Sequence, residues 1–136
     1  YTEENTLSLH DALPIFEGLS KLRIRVNAQS QFPVAGESTR LLLFRATQEA
    51  LTNIARHARA LNAEVFLEAS LEHVELRVVD DGIGIASGSI DKSGSLGLLG
   101  IRERARAIGG TLAVERNAMG GTTMVLRLPL DRSASA

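Results

Sequence analysis

The chain contains no cysteine, and that absence removes a disulfide scaffold, a thiolate zinc site and a cysteine nucleophile together. It leaves the compartment open. Neither sign of charge is in excess, because 15 Lys+Arg stand against 16 Asp+Glu for a net charge of -1. A nucleic-acid or anionic-membrane surface calls for a basic excess, so neither partner is expected. Long apolar runs are missing too: stretches such as Leu41 to Phe44 last only a few residues, far short of the roughly 20 that cross a bilayer. His10, His57 and His73 are scattered, which leaves no visible zinc site and no hydroxyl-nucleophile triad. There is no Walker-type Gly-x-x-x-x-Gly-Lys-Ser/Thr, and Gly94, Gly97 and Gly100 do not make the Gly-x-Gly-x-x-Gly of a dinucleotide-binding turn.

What remains has the make-up of one ordinary globular domain, with 136 residues, 44% hydrophobic and 23% charged. Folding at this length buries roughly two-thirds of the surface of the unfolded chain, enough for a core without cross-links. Arg23 to Asn27 alternates like a half-buried strand, and Pro33 and Gly36 then interrupt the chain. From Glu37 to Ala58 there is neither Gly nor Pro. At 100° per residue Leu43, Phe44, Ala46, Thr47, Ala50, Leu51, Ile54, Ala55 and Ala58 fall on about half the circumference of a helix. Ala63 to Ser70 and His73 to Asp80 alternate as an antiparallel hairpin across Leu71-Glu72. Asp81 to Ser95 carries four glycines and four serines with little periodicity, and reads as a long loop of the functional kind. Helical spacing resumes from Leu98 to Ile108 and stops at Gly109-Gly110. Thr111 to Arg116 and Thr122 to Leu128 form a last hairpin turned at Asn117 to Gly121. This order predicts a two-layer α/β sandwich, with one mixed, mostly antiparallel sheet and helices on a single face.

Four groups of residues could carry chemistry. Glu49, Asn53 and His57 are spaced i, i+4, i+8 along the rim of the apolar arc. Such a row is either the plain boundary of an amphipathic helix or a magnesium site, in which the Asn53 oxygen is a hard ligand and Glu49 orients or deprotonates a water or hydroxyl. Asp80-Asp81-Gly82-Ile83-Gly84 is either a turn or a pocket edge. In the pocket reading a carboxylate accepts the amino protons of adenine, while Gly82 and Gly84 let a flat base reach the backbone. Gly94, Gly97 and Gly100 are a hinge, or a lid whose helix N-terminus offers free N–H groups to a triphosphate. Gly120-Gly121-Thr122 is an ordinary hairpin turn unless strand pairing sets the Thr122 hydroxyl beside Asp80.

In order along the chain, Glu49-Ala-Leu-Thr-Asn53-Ile-Ala-Arg-His57, Asp80-Asp-Gly82-Ile-Gly84, Gly97-Leu-Leu-Gly100-Ile-Arg-Glu-Arg104 and Gly121-Thr122 resemble the N box, G1 box, G2 box and terminal Gly-Thr of the GHKL ATPases. The wording is most similar to the ATP-binding catalytic domain of sensor histidine kinases of the nitrate/nitrite- and oxygen-sensor type, whose helices read Gln-Glu-Ala-Leu-Thr-Asn and Gly-Ile/Met-Arg-Glu-Arg. The resemblance runs from about Leu19 to Leu130 and implies the Bergerat fold, with ATP and Mg2+ as ligands. It assigns Asp80 to the adenine amino group and Thr122 to the same edge. Asn53 goes to magnesium with Glu49 beside it, Arg56 and His57 to the ATP site, and Gly94, Gly97, Leu98 and Gly100 to the lid. Arg56 stands where the family often has Lys, and Ser95 departs from a common Gly-x-Gly-Leu lid pattern. The implied reaction passes the γ-phosphoryl group of ATP to a histidine on a separate dimerisation domain, for relay to a response regulator. A full-length homodimer with this domain on the cytoplasmic side is implied as well. A non-transferring nucleotide-binding regulatory module is an alternative reading; so is another ATPase of the superfamily, such as an anti-sigma-type serine kinase.

Leu9-His10-Asp11 superficially resembles the acceptor box of such kinases. The 43 positions from His10 to Asn53 already hold the first strand and half of the long helix, and Pro14 would break an acceptor helix within a turn. The organisation expected is therefore a non-native or disordered leader over 1–18, the ATPase domain over 19–130 and a disordered tail over 131–136. Thr6 to Ile15 also resembles translated sequencing-adapter read-through. Resequencing the source locus is expected to return different codons for the first fifteen or so residues; recovery of the same codons refutes that expectation.

Overall fold

The computed structural model of the chain describes residues 22–28, 36–83 and 96–130. Its elements are strand β1 (Arg23–Ala28), helix α1 (Glu37–Asn53) continued by one π-helical turn (Ile54–Ala58), strands β2 (Asn62–Ala69) and β3 (His73–Asp80), helix α2 (Leu96–Ala107), and strands β4 (Thr111–Arg116) and β5 (Thr122–Pro129). Both predicted hairpins and both predicted helices are present. The expected leader over 1–18, the tail over 131–136, and Gly84 and Gly94 of the candidate site lie outside the described residues.

The five strands form one sheet in the order β1-β2-β3-β5-β4. β1 and β2 run parallel across the α1 crossover, and the other three pairs are antiparallel. β5 lies between β3 and β4, so the two hairpins meet along their inner strands. Register builds continuous apolar rows across the sheet. One runs Val26, Val65, Val78, Met124, Val114, and the next runs Leu67, Leu76, Leu126, Leu112. Both helices pack on this face, α1 against β3 and β5 and α2 against β4 and β5. The opposite face carries residues such as Arg25, Glu64 and Arg77, the last with its guanidinium 4.5 Å from the centre of the Phe66 ring.

The ends of the helices follow local rules. α2 closes in a Schellman motif, with the Gly109 N–H donating to Arg106 O at 3.1 Å and the Gly110 N–H to Ala105 O at 2.7 Å. Gly109 takes φ +84 there, a conformation that favours glycine. Gly110 is needed for a different reason, since a Cβ on it would overlap the Arg127 carbonyl of β5.

Two departures from the sequence-based expectation concern α1. Its buried set includes Thr39 and Leu42 as well as Leu43, Ala46, Thr47, Ala50 and Leu51, because α1 packs against both the sheet and α2 and its covered arc is wider than one stripe. The regular α pitch also ends at Asn53. The next turn is π-helical and leaves through Arg59 in the left-handed region, φ 52 and ψ 33. A π turn bonds i to i+5, so the straight row from Glu49 through Asn53 does not continue at the same pitch to position 57.

Leu126 is fully buried at the middle of the sheet. Leu126→Ala is expected to cost about 2–5 kcal/mol, a large share of the about 5–15 kcal/mol that holds a domain of this kind. Leu71→Ala, at a side chain 74% exposed, is expected to stay within about 0.5 kcal/mol. Urea unfolding of both variants measures the contrast.

Candidate functional site

The inward positions of β3 are Val74, Leu76, Val78 and Asp80. Three belong to the core, and the fourth is a carboxylate only 3% exposed. Burial raises the pKa of Asp80 above the ordinary carboxylate value. Hydrogen bonds from the Gly82 and Thr122 backbone N–H groups pull it back, and the neighbouring Asp81 charge adds a smaller rise. The Gly82 N–H reaches Oδ1 at 2.8 Å.

The β4–β5 turn is built around the same residue. Pairing of Val79 with Thr123 carries Thr122 alongside Asp80, where it is the Thr122 backbone N–H that bonds the carboxylate. The Thr122 Oγ1 is buried and has no hydrogen-bond partner. Gly121 is also buried, and a Cβ on it would run into the Asp80 carbonyl. Asn117 ties the turn down: its Nδ2 donates to Asp80 O at 3.1 Å, while its Oδ1 accepts from the Met119 and Gly121 N–H groups, each at 3.0 Å. Sequence reasoning took Asn117 only as the opening of a turn. An Asn that begins a Gly-rich turn was the available signal, but its second role across the sheet has no local trace.

Asp81 is another residue whose work was missed. Its Oδ1 accepts the Leu61 and Asn62 backbone N–H groups at 2.9 and 3.0 Å, and its Oδ2 accepts Asn62 Nδ2 at 2.8 Å. These bonds hold its pKa below the ordinary value, led by the one from the Asn62 side chain. Of the remaining G1-like residues, Gly82 is half-buried, and the exposed Ile83 offers its carbonyl to Arg116 Nη2 at 3.1 Å.

A second group gathers where α1 faces α2. Glu49 is half-buried, and its carboxylate lies against Gly97 in the first turn of α2, so closely that a Cβ at 97 would collide with it. Glu49, Gly97 and Gly100 line a groove of about 470 Å3 together with Phe44, Arg45 and Arg104. Leu98 instead turns into the hydrophobic core. Asn53 is half-buried one turn beyond Glu49, and Arg56 is exposed in the π-helical turn. His57 also belongs to that turn, but its side chain is outside the described set. Among the described residues, no three of His, Asp and Glu come close enough to hold a metal ion by themselves. No helix among them is long and apolar enough to cross a membrane.

Residues 38–132 match the sequence pattern of the histidine kinase-, DNA gyrase B- and HSP90-like ATPases. The chain belongs to this family. Within it, the sensor histidine kinase YhcY of Bacillus subtilis is 36% identical over 122 residues, which is 90% of this chain and 32% of that protein. The oxygen sensor histidine kinase NreB of Staphylococcus carnosus is 33% identical over 89 residues, 65% of this chain and 26% of that protein. The chain thus spans about a third or less of the length of these relatives. The ATP-binding domain of PrrB from Mycobacterium tuberculosis superposes with a TM-score of 0.70 at 28% identity, covering 90% of this chain and 88% of that one. The expected Bergerat-type α/β sandwich is therefore the observed fold, and the chain is an ATP-binding domain of the sensor histidine kinase kind.

Because burial lifts the Asp80 pKa, its charge at neutral pH opposes folding, and this cost disappears as pH falls through the raised value to below the ordinary one. Asp80→Asn, which keeps an acceptor for Gly82, is expected to melt no lower than the wild type at pH 7. Its advantage should vanish near pH 3.5, below the unfolded-state value of about 3.9. Thermal melts at the two pH values check this, and an advantage that grows towards acid would refute the assignment.

Proposed function

We propose that this domain binds Mg-ATP and serves as the catalytic part of a two-component sensor histidine kinase. The observation that carries the reading is the buried Asp80 carboxylate, bonded by the backbone N–H of Thr122 whose own hydroxyl is buried and unpartnered, at a strand position where the core needs only another apolar side chain. A buried carboxylate with a perturbed pKa is a candidate functional group. In this reading Asp80 accepts the exocyclic amino protons of adenine and Thr122 serves the same edge. Gly82 and Gly84 allow the flat base to approach the backbone. Gly94, Gly97, Leu98 and Gly100 belong to the phosphate-covering segment, and Arg56 and His57 supply the phosphate end.

The donor set suits magnesium only in company with a nucleotide. Asn53 offers one hard oxygen with Glu49 a turn away, and among the described residues no acidic cluster completes a site. An ion that prefers few protein oxygens plus phosphates and waters fits this shortage. Bound there, it would neutralise charge on the triphosphate. Glu49 is placed in this scheme to orient or accept the proton of a group near the phosphates. The transfer itself joins a histidine ring nitrogen of the dimerisation domain to the γ-phosphorus as the bond to the β-phosphate oxygen breaks, releasing ADP. Such a transfer depends mainly on positioning and charge neutralisation. The phosphoryl group then passes to a response regulator, and the complete protein works as a homodimer with this domain in the cytoplasm.

Titration of a fluorescent ATP analogue with and without Mg2+ tests the reading, and saturable, magnesium-strengthened binding is expected. Asp80→Asn should weaken binding by about tenfold or more, the worth of a hydrogen bond to a charged group. Asn53→Ala should leave adenosine binding unchanged and remove the magnesium dependence. Wild-type affinity in Asp80→Asn, or an intact magnesium response in Asn53→Ala, would remove the corresponding role. Phosphate transfer to a separately supplied acceptor hairpin distinguishes a kinase from a nucleotide-binding regulatory module.

A further inference from the structure

The segment leaving α1 is held at its two ends by different forces. Ile54, 7% exposed, is anchored in the core at the start of the π-helical turn. At the far end Arg59 sits in the left-handed region, a conformation that costs a non-glycine residue of order 1 kcal/mol and persists only where the surroundings impose it. Leu61 follows with its side chain 71% exposed, so no large apolar group fixes that end. Hydrogen bonds do. The Leu61 carbonyl accepts the Arg23 N–H at 2.9 Å. Its N–H goes to Asp81 Oδ1, the Asn62 N–H and side chain go to the same carboxylate, and the Asp81 N–H returns to Asn62 O at 3.2 Å. Bonds to an ionised carboxylate are stronger than neutral ones.

We propose that Asp81 is a positioning residue of the nucleotide site: through Leu61 and Asn62 it fixes the exit of the π-helical turn, and with it Arg56, against the strand end that carries Asp80. Asp81 follows Asp80 directly, so the two ends of the site are referenced to each other across a single peptide unit of about 3.8 Å. A ligand that meets Asp80 with its base and the end of α1 with its phosphates needs that separation constant. Displacement of reacting groups by about 1 Å costs up to about a hundredfold in rate, and the same shift withdraws contacts from the phosphates. The inference rests on the Mg-ATP reading.

Calorimetric titration of adenosine and of Mg-ATP into the wild type, Asp81→Ala, Asp81→Asn and Asn62→Ala separates positioning from plain stabilisation. Asp81→Ala should hold adenosine within about threefold of the wild type and lose about tenfold or more for Mg-ATP. Asp81→Asn, whose amide oxygen still accepts both backbone N–H groups, should recover most of that loss. Asn62→Ala, which keeps the carboxylate and removes one of the three bonds, should weaken Mg-ATP alone, by less. Where Asp81→Ala does not fold, Asp81→Asn and Asn62→Ala decide between the outcomes by the same split. Equal losses for the two ligands, or an unchanged affinity for Mg-ATP, would overturn the positioning role while leaving the site reading intact. A wild-type chain that binds neither ligand would overturn the site reading and this inference with it.

Discussion

Asp80 occupies the last inward position of the central strand β3, and the architecture around it answers the cost of placing a carboxylate there. An isolated buried charge is unfavourable by several kcal/mol unless polar groups meet it. Two backbone N–H groups do so, one from Gly82 and one from Thr122. Bringing Thr122 close enough forces the preceding turn over the Asp80 backbone, where only a glycine fits at 121. Asn117 then both closes that turn and satisfies the Asp80 carbonyl. Gly82, Asn117, Gly121 and Thr122 are thus consequences of one residue.

The helical half of the site is organised by close approach. The Glu49 carboxylate rests on the first turn of α2 because residue 97 has no side chain, and a negative charge is welcome at the positive end of a helix. Gly97 therefore has a packing reason to be glycine, beside any need for backbone freedom. Gly100 differs, since nothing lies within 4 Å of where its Cβ would be. The two halves meet through α1, whose core-facing side fixes Glu49 and Asn53, and through the π-helical turn, whose exit is tied back to Asp81.

Much of this was legible in the sequence. The 22 residues from Glu37 to Ala58 without Gly or Pro, the alternation in β2 and β3, and the Gly109-Gly110 stop are local signals that tertiary contacts had no cause to override. Strand order was not legible, because alternation marks which residues face inward and is silent on which hairpin edges join. The insertion of β5 beside β3 was therefore invisible, although Thr122 gains its meaning only from it. The π-helical turn was equally hidden, since Ile54 to Ala58 suits an ordinary α pitch by composition. Asp81 read as half of an acidic turn pair, whereas its partners lie 19 and 20 positions earlier in the chain. Asp80, Asn53 and Glu49 stood out only as parts of a motif; each has a commonplace reading when taken alone.

The place of β5 in the sheet has a consequence in time as well as in space. The last strand of the described chain is not at an edge but between the two strands that preceded it most closely, β3 and β4. On a ribosome, where the N-terminal part emerges first, β1 to β3 and α1 can assemble while Asp80 still lacks Thr122 and Gly121. The carboxylate is enclosed only when the strand beginning at residue 122 slides in and joins both hairpins. Long-range pairing of this kind is slow to form. The buried polar end of the central strand is therefore completed in one late step, and a nascent chain with every earlier element in place would still leave the Asp80 carboxylate short of the Thr122 N–H.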